Sequence, residues 1–429
     1  MKKFLLIAAG LCLFGLVSLG LLGACVISAG RSFSVSADEK ATRQETHPLE
    51  ISAGQTLRID LAGGDVRVRA GETSAGISAQ ITAWGATQAE ADKALANAKL
   101  EITTSASGAT VSLEDATLEV GQFGGNYRLV AEADLEIAIP PGVRLQIESR
   151  SGDIDARGPF EGSKVHSAYG SVRIEKVAGD LEATSSSGDV AVAAVNGTSI
   201  EAKSGYGSVA LSDCESTRIT AKSSSGDVRI EDSRADRVQI ESGYGDLEIA
   251  RIGGEIEAKT SSGDVRAKAF TGPIASLASG YGSVQVDGGT GKLSASSSSG
   301  DVRITGFQGS VEAKSGYGSV HVEGVLKSVE AESSSGDVSV SGTQGSEVST
   351  TWKIASNYGS GKLELPADLA FDIDARTNYG KIERGFPIEL GPGTDDRNAS
   401  SLQGRVNGGG GRIEIRCKSG DVIFRPSGK

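Results

Sequence analysis

Apolar and polar residues alternate along most of the chain, in short runs separated by glycine turns. In one unit Val228 and Ile230 alternate with charged residues, and after a short link Val238 and Ile240 alternate with polar ones. A period of two is typical of a β-strand that buries one face. Each unit therefore predicts two short strands whose apolar side chains share one face.

The turns recur at a nearly constant interval. If the glycine that precedes Asp, Ser or Lys is taken as the marker, successive turns lie 18 or 19 residues apart as far as Gly336, and the spacing then loosens. The markers are Gly152, Gly170, Gly188, Gly207, Gly226, Gly245, Gly263, Gly282, Gly300, Gly318, Gly336, Gly359, Gly380 and Gly420. A fixed short period indicates stacked units, so the predicted fold class is all-β, a β-solenoid (β-helix) of about 18–19 residues per coil.

Two coil sizes are compatible with the repeat, because Ser-Gly-Asp turns and Tyr-Gly turns alternate along it. Either each 18–19 residues form one coil, or about 37 residues form a larger coil with the two turn types at opposite corners. Eighteen residues at ~3.3 Å give a perimeter near 60 Å, enough for two short strands on sheets ~10 Å apart. A coil of twice that length would enclose a void, so we favour the shorter coil.

The ends of the chain depart from the repeat and predict caps. Thr87 with Glu90 forms a capping box, and Ala91, Leu95 and Ala98 fall on one helical face. Larger apolar residues and broken spacing after Gly342 indicate a second cap. The predicted divisions are a signal peptide or membrane anchor at 1–30, a linker at 31–47, an N-terminal β cap at 48–148 with a helix at 87–99, regular repeats at 149–345, and C-terminal coils with a cap at 346–429.

The N-terminus predicts export with three possible outcomes. Two lysines precede an uncharged stretch from Phe4 to Gly30, which is long enough to remain as a membrane-spanning anchor. Cys25 follows Leu-Gly-Ala, a lipobox-like sequence, and is a lipidation candidate. Val-Ser-Ala before Asp38 resembles an ordinary cleavage site. All three place the body outside the cytoplasm, and we expect it to be membrane-anchored through either the spanning segment or a lipid.

Composition narrows the class of partner. The formal net charge is −12, which disfavours nucleic acid and anionic lipid surfaces as the main partner. Cell-surface glycans or envelope proteins remain as expected partners. Cys214 and Cys417 lie some ten coils apart and therefore cannot pair within one chain, so we expect two small, poorly reactive thiols.

Three segments carry a resemblance to a known family. They are Ile137–Val143 with its Pro-Pro-Gly, the serial Ser-Ser-Gly-Asp-Val turns, and Gly408–Val422 with its closing Ser-Gly-Asp-Val. Together they resemble the bacterial "putative adhesin" domain-of-unknown-function family, related in style to the head-GIN β-helices, over roughly residues 48–429. The resemblance implies a β-solenoid displayed on the cell envelope. It carries over no catalytic residues.

Seven of the eight tyrosines occupy the same slot, directly before a turn glycine. They are Tyr169, Tyr206, Tyr244, Tyr281, Tyr317, Tyr358 and Tyr379. Such a column either forms an aromatic strip that stacks on sugars or a partner, or packs over the glycine-rich corners. We expect packing, so that replacing these tyrosines would lower stability.

A column of aspartates follows the turn glycines. It comprises Asp153, Asp189, Asp227, Asp246, Asp264, Asp301 and Asp337. Stacked carboxylates could bind calcium, or each could accept hydrogen bonds from the amides of its turn. The calcium-binding nonapeptide pattern is absent and each turn supplies a single carboxylate, so we expect hydrogen bonding and neither a metal nor a cofactor.

Signals of catalysis are lacking in the sequence. It contains three histidines, and neither a nucleophile elbow nor a phosphate loop. We therefore expect a non-enzymatic, envelope-tethered scaffold that acts as an adhesin-like binding protein or as a spacer. Two alternatives remain open: a carbohydrate-active β-helix enzyme or glycan-binding protein, and a self-assembling filament protein. Uncapped ends would favour the filament.

Overall fold

The computed structural model describes residues 25–28, 31–34, 39–71, 74–114, 131–390 and 400–427. Most of the predicted signal or anchor segment 1–30 lies outside them. Its described part is strand β1 (Cys25–Ser28), which pairs antiparallel with β2 (Arg31–Ser34). Among the described residues, no helix is both long and apolar enough to cross a membrane.

The N-terminal end is built from seven strands and one helix. They are β3 (Glu39–Pro48), β4 (Thr56–Leu61), β5 (Val66–Ala70), β6 (Gly76–Gly85), α1 (Gln88–Asn97), β7 (Lys99–Ser105), β8 (Gly108–Glu114) and β9 (Ala131–Ile139). β4 and β5 form a coil, and β8 and β9 pair with it in parallel on its outer side. Antiparallel strands then cover that outer coil, with β7 on β8 and β6 followed by β3 on β9.

The predicted helix is present, and its capping residues are those expected from the sequence. Thr87 Oγ1 accepts a hydrogen bond from the Glu90 amide, while the Glu90 carboxylate accepts one from the Ala86 amide. At the other end, Arg43 of β3 donates to the carbonyls of Leu95 and Ala98, at 2.8 and 2.7 Å. These bonds satisfy carbonyls that a helix end leaves without partners, so they tie the helix to β3.

The predicted linker at 31–47 is wrong over its second part. Residues Glu39–Pro48 form a cap strand that pairs antiparallel with β6 along its whole length, from Glu39 opposite Gly85 to Pro48 opposite Gly76. Its polar composition is that of an edge strand, which presents charge and proline to solvent.

The regular part is a stack of coils whose strands pair in parallel with the equivalent strands of the next coil. Its strands are β10 (Arg144–Ser149), β11 (Ile154–Ser167), β12 (Val172–Ser185), β13 (Val190–Ser204), β14 (Val209–Ser212), β15 (Glu215–Ser223), β16 (Val228–Glu231), β17 (Arg234–Ser242), β18 (Leu247–Ala250), β19 (Gly253–Thr260), β20 (Val265–Ser279), β21 (Val284–Ser297), β22 (Val302–Ser315), β23 (Val320–Ser333) and β24 (Val338–Gly342). Val209 pairs with Val228, and Val228 with Leu247. The shift is one repeat per coil, which confirms the β-solenoid, of about 12 turns, and the shorter coil.

The core is a thin apolar column inside the tube. Val228, Ile230, Val238 and Ile240 have no exposed surface, whereas Arg229 between them is exposed. The alternation in the sequence therefore separates interior from exterior as predicted. No coil could fold alone on so few apolar side chains, so neighbouring coils stabilise one another.

The C-terminal end reverses the order of its last coils. Its strands are β25 (Trp352–Ser356), β26 (Gly361–Leu365), β27 (Phe371–Thr377), β28 (Ile382–Arg384), β29 (Glu389–Leu390), β30 (Ser401–Val406), β31 (Gly411–Cys417) and β32 (Val422–Pro426). β31 and β32 pair in parallel with β25 and β26 on one side and with β27 and β28 on the other. The segment expected to form the last coil is thus inserted before the coil that precedes it in the chain.

Both ends of the described body finish in strands that discourage further pairing. β30 lies antiparallel on β27, followed by the two-residue β29, and the other sheet ends in the three-residue β28. At the opposite end the outermost strands are β3 and β7. Short or charged edges of this kind protect a sheet from end-to-end association.

Candidate binding surface at the tyrosine corner

Each turn at this corner is fixed by a buried hydroxyl. Ser204 Oγ donates to the carbonyl of Gly188 in the preceding coil and accepts from the amide of Gly207 in its own turn, both at 2.9 Å. The same pair of bonds is made by Ser167, Ser185, Ser223, Ser242, Thr260, Ser297, Ser315, Ser333, Ser356 and Thr377. The hydroxyl column holds consecutive turns in register.

The turn glycines allow the coils to approach closely. A Cβ atom on Gly207 would lie 2.4 Å from the carbonyl oxygen of Gly188, and one on Gly226 would lie 2.3 Å from that of Gly207. Any side chain at this position would therefore collide with the backbone of the coil below. The series of glycines that marks the repeat in the sequence is a steric requirement of the stack.

The aspartate column connects one coil to the next. Asp189 Oδ1 accepts from the amide of Ser208 at 2.7 Å, and Asp227 Oδ1 from the amide of Asp246 at 2.8 Å. The carboxylates accept amide hydrogen bonds, as predicted, but the donors belong to the following coil and not to the turn of the aspartate itself. Among the described residues, no group of three His, Cys, Asp or Glu side chains is placed to hold a metal ion.

Two of these aspartates also share an arginine. Arg266 donates to Asp246 Oδ2 and Asp264 Oδ2, each at 2.6 Å. Burial works to raise the pKa of Asp246, but the hydrogen bond and charge of Arg266 outweigh it, and the pKa lies below its ordinary value. Asp246 therefore stays ionised, and the shared arginine braces the two coils.

The tyrosine rings stand in solvent. Their exposed fraction ranges from 68% at Tyr358 to 82% at Tyr379, in a protein whose other large apolar side chains are mostly buried. The expectation that these rings pack over the corners is wrong. A ring such as that of Tyr206 projects from the tip of the turn between Gly205 and Gly207, and glycines offer no side chain for it to pack against.

The alternation of Tyr and Ser turns holds in space even where the chain order breaks. Stacking of the turn glycines runs from Gly336 to Gly359, then to Gly420, and only then to Gly380. The residues before the last three are Tyr358, Ser419 and Tyr379, so the inserted coil supplies the serine that separates two tyrosines. Every second coil carries a ring. With coils ~4.8 Å apart, neighbouring rings lie about 10 Å apart in a strip on the order of 60 Å long.

Several main-chain groups at this corner are committed to bonds between coils. The amides of Tyr169 and Tyr281 donate to the carbonyls of Arg150 and Ser261, at 3.2 and 3.1 Å, and the amide of Gly205 donates to Ser185. Beside these groups lie side-chain hydroxyls and the Oδ2 atoms of exposed aspartates such as Asp189. The surface is thus a row of free aromatic rings with hydroxyl and carboxylate groups beside it.

A groove at the opposite corner is the main competing location. It has a volume of about 1080 Å³ and is lined by Asp213, Asp232, Arg234 and Arg251, among others. Arg251 holds Asp232 through two bonds of 2.5 and 2.6 Å, and this hydrogen bonding lowers the pKa of the carboxyl. An aspartate held ionised by an arginine is not suited to donate a proton, so Asp232 does not fit the role of a general acid.

The two body cysteines are free and buried. Burial raises the pKa of the Cys214 and Cys417 thiols to about 11 in each case, so neither forms a thiolate at neutral pH. This agrees with the expectation of poorly reactive residues. Cys417 ends β31 in the place where the neighbouring coils have Ser356 and Thr377.

Comparison with known proteins gives a family and a loose structural likeness. No curated protein matches the chain. A putative cell adhesion protein from Clostridium sporogenes is 8% identical, with 90% of this chain and 100% of that one covered and a TM-score of 0.19. A putative adhesin from Bacteroides fragilis is 15% identical, with 66% and 96% covered and a TM-score of 0.24. These superpositions are too loose to bear on function.

The family match covers most of the chain and agrees with the repeat. The Toastrack DUF4097 family matches residues 55–272 and again residues 255–424, which together span the coils and most of both caps. The resemblance drawn from the Pro-Pro-Gly lead-in and the Ser-Gly-Asp-Val turns is thereby confirmed. This chain belongs to the Toastrack DUF4097 family.

Proposed function

We propose that this protein is a non-enzymatic, adhesin-like β-solenoid that is held at the cell envelope by its N-terminal segment and attaches to an extended ligand along the tyrosine column. The observation that carries the proposal is the column itself: seven rings, 68–82% exposed, at one corner and on every second coil. Exposed aromatic side chains cost solubility and are enriched where proteins bind.

The surrounding structure supports a binding role for the rings. The turns beneath them are fixed by the serine and aspartate columns, so the rings project from a rigid base. A rigid base lowers the entropy lost on binding. Rings spaced along one edge also allow several weak contacts to act together on one long ligand.

A test of this role is the combined replacement of Tyr206, Tyr244 and Tyr281 by Ser. Serine already occupies the same slot in the intervening turns, for example at Ser225, so the backbone accepts it. Because the rings are exposed, we expect the melting temperature to stay within about 2 °C of the parent while attachment to envelope fractions or whole cells is lost. A variant that attaches like the parent would refute the proposal, and one that melts far lower would mean that the rings support the fold.

The tether is the second part of the proposal. An uncharged segment after two lysines supports retention at a membrane, through either a spanning anchor or a lipid on Cys25. We expect the native protein to sediment with membranes and to be released by detergent. If Cys25→Ser leaves processing and sedimentation unchanged, the anchor is a spanning segment. A native soluble pool that begins at Asp38 would contradict both forms of attachment.

Neither the filament nor the carbohydrate-active enzyme gains a specific observation. A filament requires open ends, whereas the described body ends in short or charged antiparallel strands. A β-helix enzyme requires a reactive group in a groove, and Asp232 in the groove at the opposite corner is held ionised by Arg251.

A further inference from the structure

The tyrosine column keeps its period in space even where the order of the coils along the chain changes. In the chain the last members of the column run Tyr358, Tyr379, Ser419, but in space they run Tyr358, Ser419, Tyr379. Insertion of β31 and β32 between two tyrosine-bearing coils restores the spacing of one ring per two coils. A spacing preserved through a change in chain order indicates a ligand with the same repeat.

The polar groups beside the rings narrow the class of ligand. A polypeptide bound in extended form takes much of its affinity from main-chain hydrogen bonds to the protein. Along this corner the amides of Tyr169, Gly205 and Tyr281 already donate to neighbouring coils. Beside the rings lie hydroxyls, as on Ser187 between two rings, and carboxylate oxygens. Such groups match the hydroxyls of a sugar better than they match a peptide backbone.

The charge beside the rings narrows the class further. Exposed carboxylates follow the turn glycines in the serine coils, at Asp153, Asp189, Asp227, Asp301 and Asp337. Asp189 and Asp227 use Oδ1 for the amide of the next coil. A row of negative charges repels a polyanion such as a uronic acid polymer or a teichoic acid. The ligand that fits is neutral.

We propose that the tyrosine column binds a neutral, extended β-1,4-linked glycan that lies along the axis of the solenoid, with one sugar over each coil and one stacked ring for every two sugars. This rests on the proposed function and specifies its ligand. Consecutive sugars in such a chain are flipped relative to one another, so the same apolar face returns at every second sugar. A ring repeat of about 10 Å presents a tyrosine to each returning face.

The proposal predicts how affinity depends on ligand length. Each further pair of sugars reaches one more ring, and the added contact is intramolecular. A stacking contact increases affinity by roughly threefold to tenfold. Affinity should therefore rise in steps of two sugars and level off once all seven rings are engaged.

The experiment is a calorimetric titration of the full chain in detergent. The probes are cello- and chito-oligosaccharides lengthened one sugar at a time, with oligogalacturonides and oligoproline for comparison. Stepwise strengthening with the neutral oligosaccharides, and at least tenfold weaker binding of the oligogalacturonides, would support the proposal. Preferred binding of oligoproline or oligogalacturonides, or no binding of either neutral series, would overturn it.

A matched pair of variants tests the register directly. Tyr244→Ser removes one ring, whereas Tyr244→Ser combined with Ser225→Tyr keeps the number of rings and moves one of them by a single coil. If the spacing recognises the ligand, both variants should lose a similar roughly threefold to tenfold in affinity for the long oligosaccharides. If the shifted variant binds like the parent, the rings act without register and the proposal fails.

The outcomes separate this inference from the function beneath it. If the triple tyrosine variant loses cell attachment but neutral oligosaccharides do not bind the parent, the glycan proposal is wrong and the column remains a binding surface. If the triple variant attaches as well as the parent, the column is not a binding surface and the proposed function is wrong.

Discussion

At the scale of single residues, the buried serine of each turn contributes most to the order of the corner. Ser223 is 6% exposed, and its hydroxyl lies between the carbonyl of Gly207 and the amide of Gly226, at 2.8 Å from each. One hydroxyl thus satisfies two half-buried main-chain groups in two coils. Because those groups are partly screened from water, removal of the hydroxyl leaves them poorly compensated.

Ser223→Ala should therefore destabilise the protein by roughly 1–3 kcal/mol, since a half-buried carbonyl and a half-buried amide each lose a partner. The adjacent Ser224 is exposed, and Ser224→Ala should change stability by less than about 0.5 kcal/mol. Urea unfolding of both variants measures the difference. Equal effects would mean that the hydroxyl column is not a source of stability.

At the scale of elements, the inserted strand β31 is fastened to β27 by a charge cluster. Asp374 of β27 is buried and lies 2.9 Å from both Arg412 and Arg416 of β31, while Arg376 of its own strand is 3.2 Å away. Burial by itself would raise the pKa of Asp374, but the hydrogen bonds and charge of Arg416, together with Arg376, hold it below its ordinary value. The cluster joins two strands that are distant in the chain.

Asp374→Asn should cost roughly 1–3 kcal/mol at neutral pH, because buried charge-assisted hydrogen bonds are lost. A carboxyl whose pKa is lowered by folding stabilises the protein above its unfolded pKa and loses that contribution as the pH falls through the folded pKa. The difference between parent and variant should therefore shrink below pH about 4. Unfolding curves recorded across this range test it. A difference that stays constant with pH would contradict the role of the charge.

At the scale of the whole molecule, the body is a stack of coils closed at both ends by segments that pair out of chain order. β8 and β9 cover the earlier coil of β4 and β5, and β31 and β32 enter beneath the earlier strands β27 and β28. Each arrangement makes a terminal coil depend on pairing with a distant segment. The ends are therefore joined cooperatively to the regular coils.

Deletion of residues 411–427 should open the C-terminal end. β25 and β26 would keep β23 and β24 but lose their parallel partners on the other side, and β27 and β28 would lose the coil that supports them. We expect the truncated body to associate through its exposed edges, as measured by sedimentation velocity, whereas a chain that begins at Glu39 should sediment like the parent body. Unchanged sedimentation after the C-terminal deletion would show that the inserted coil does not protect the end.

Local pattern by itself determined the β-solenoid, the coil of 18–19 residues, the helix after Thr87 and the inward side of each strand. These features depend mainly on the local pattern of each coil. Alternation indicates which side chains face the interior, and glycine spacing indicates where the backbones of successive coils approach closely. Tertiary structure alone decided the order of the terminal coils, the donors to the aspartates and the exposure of the tyrosines. Coils of one repeat have similar edges, so the sequence pattern does not indicate which coils pair. The order observed is the one of lowest free energy among the possible stacks. A turn side chain is buried or free according to what the adjacent coil places beside it, and here that coil presents glycine and serine to a ring that remains in water.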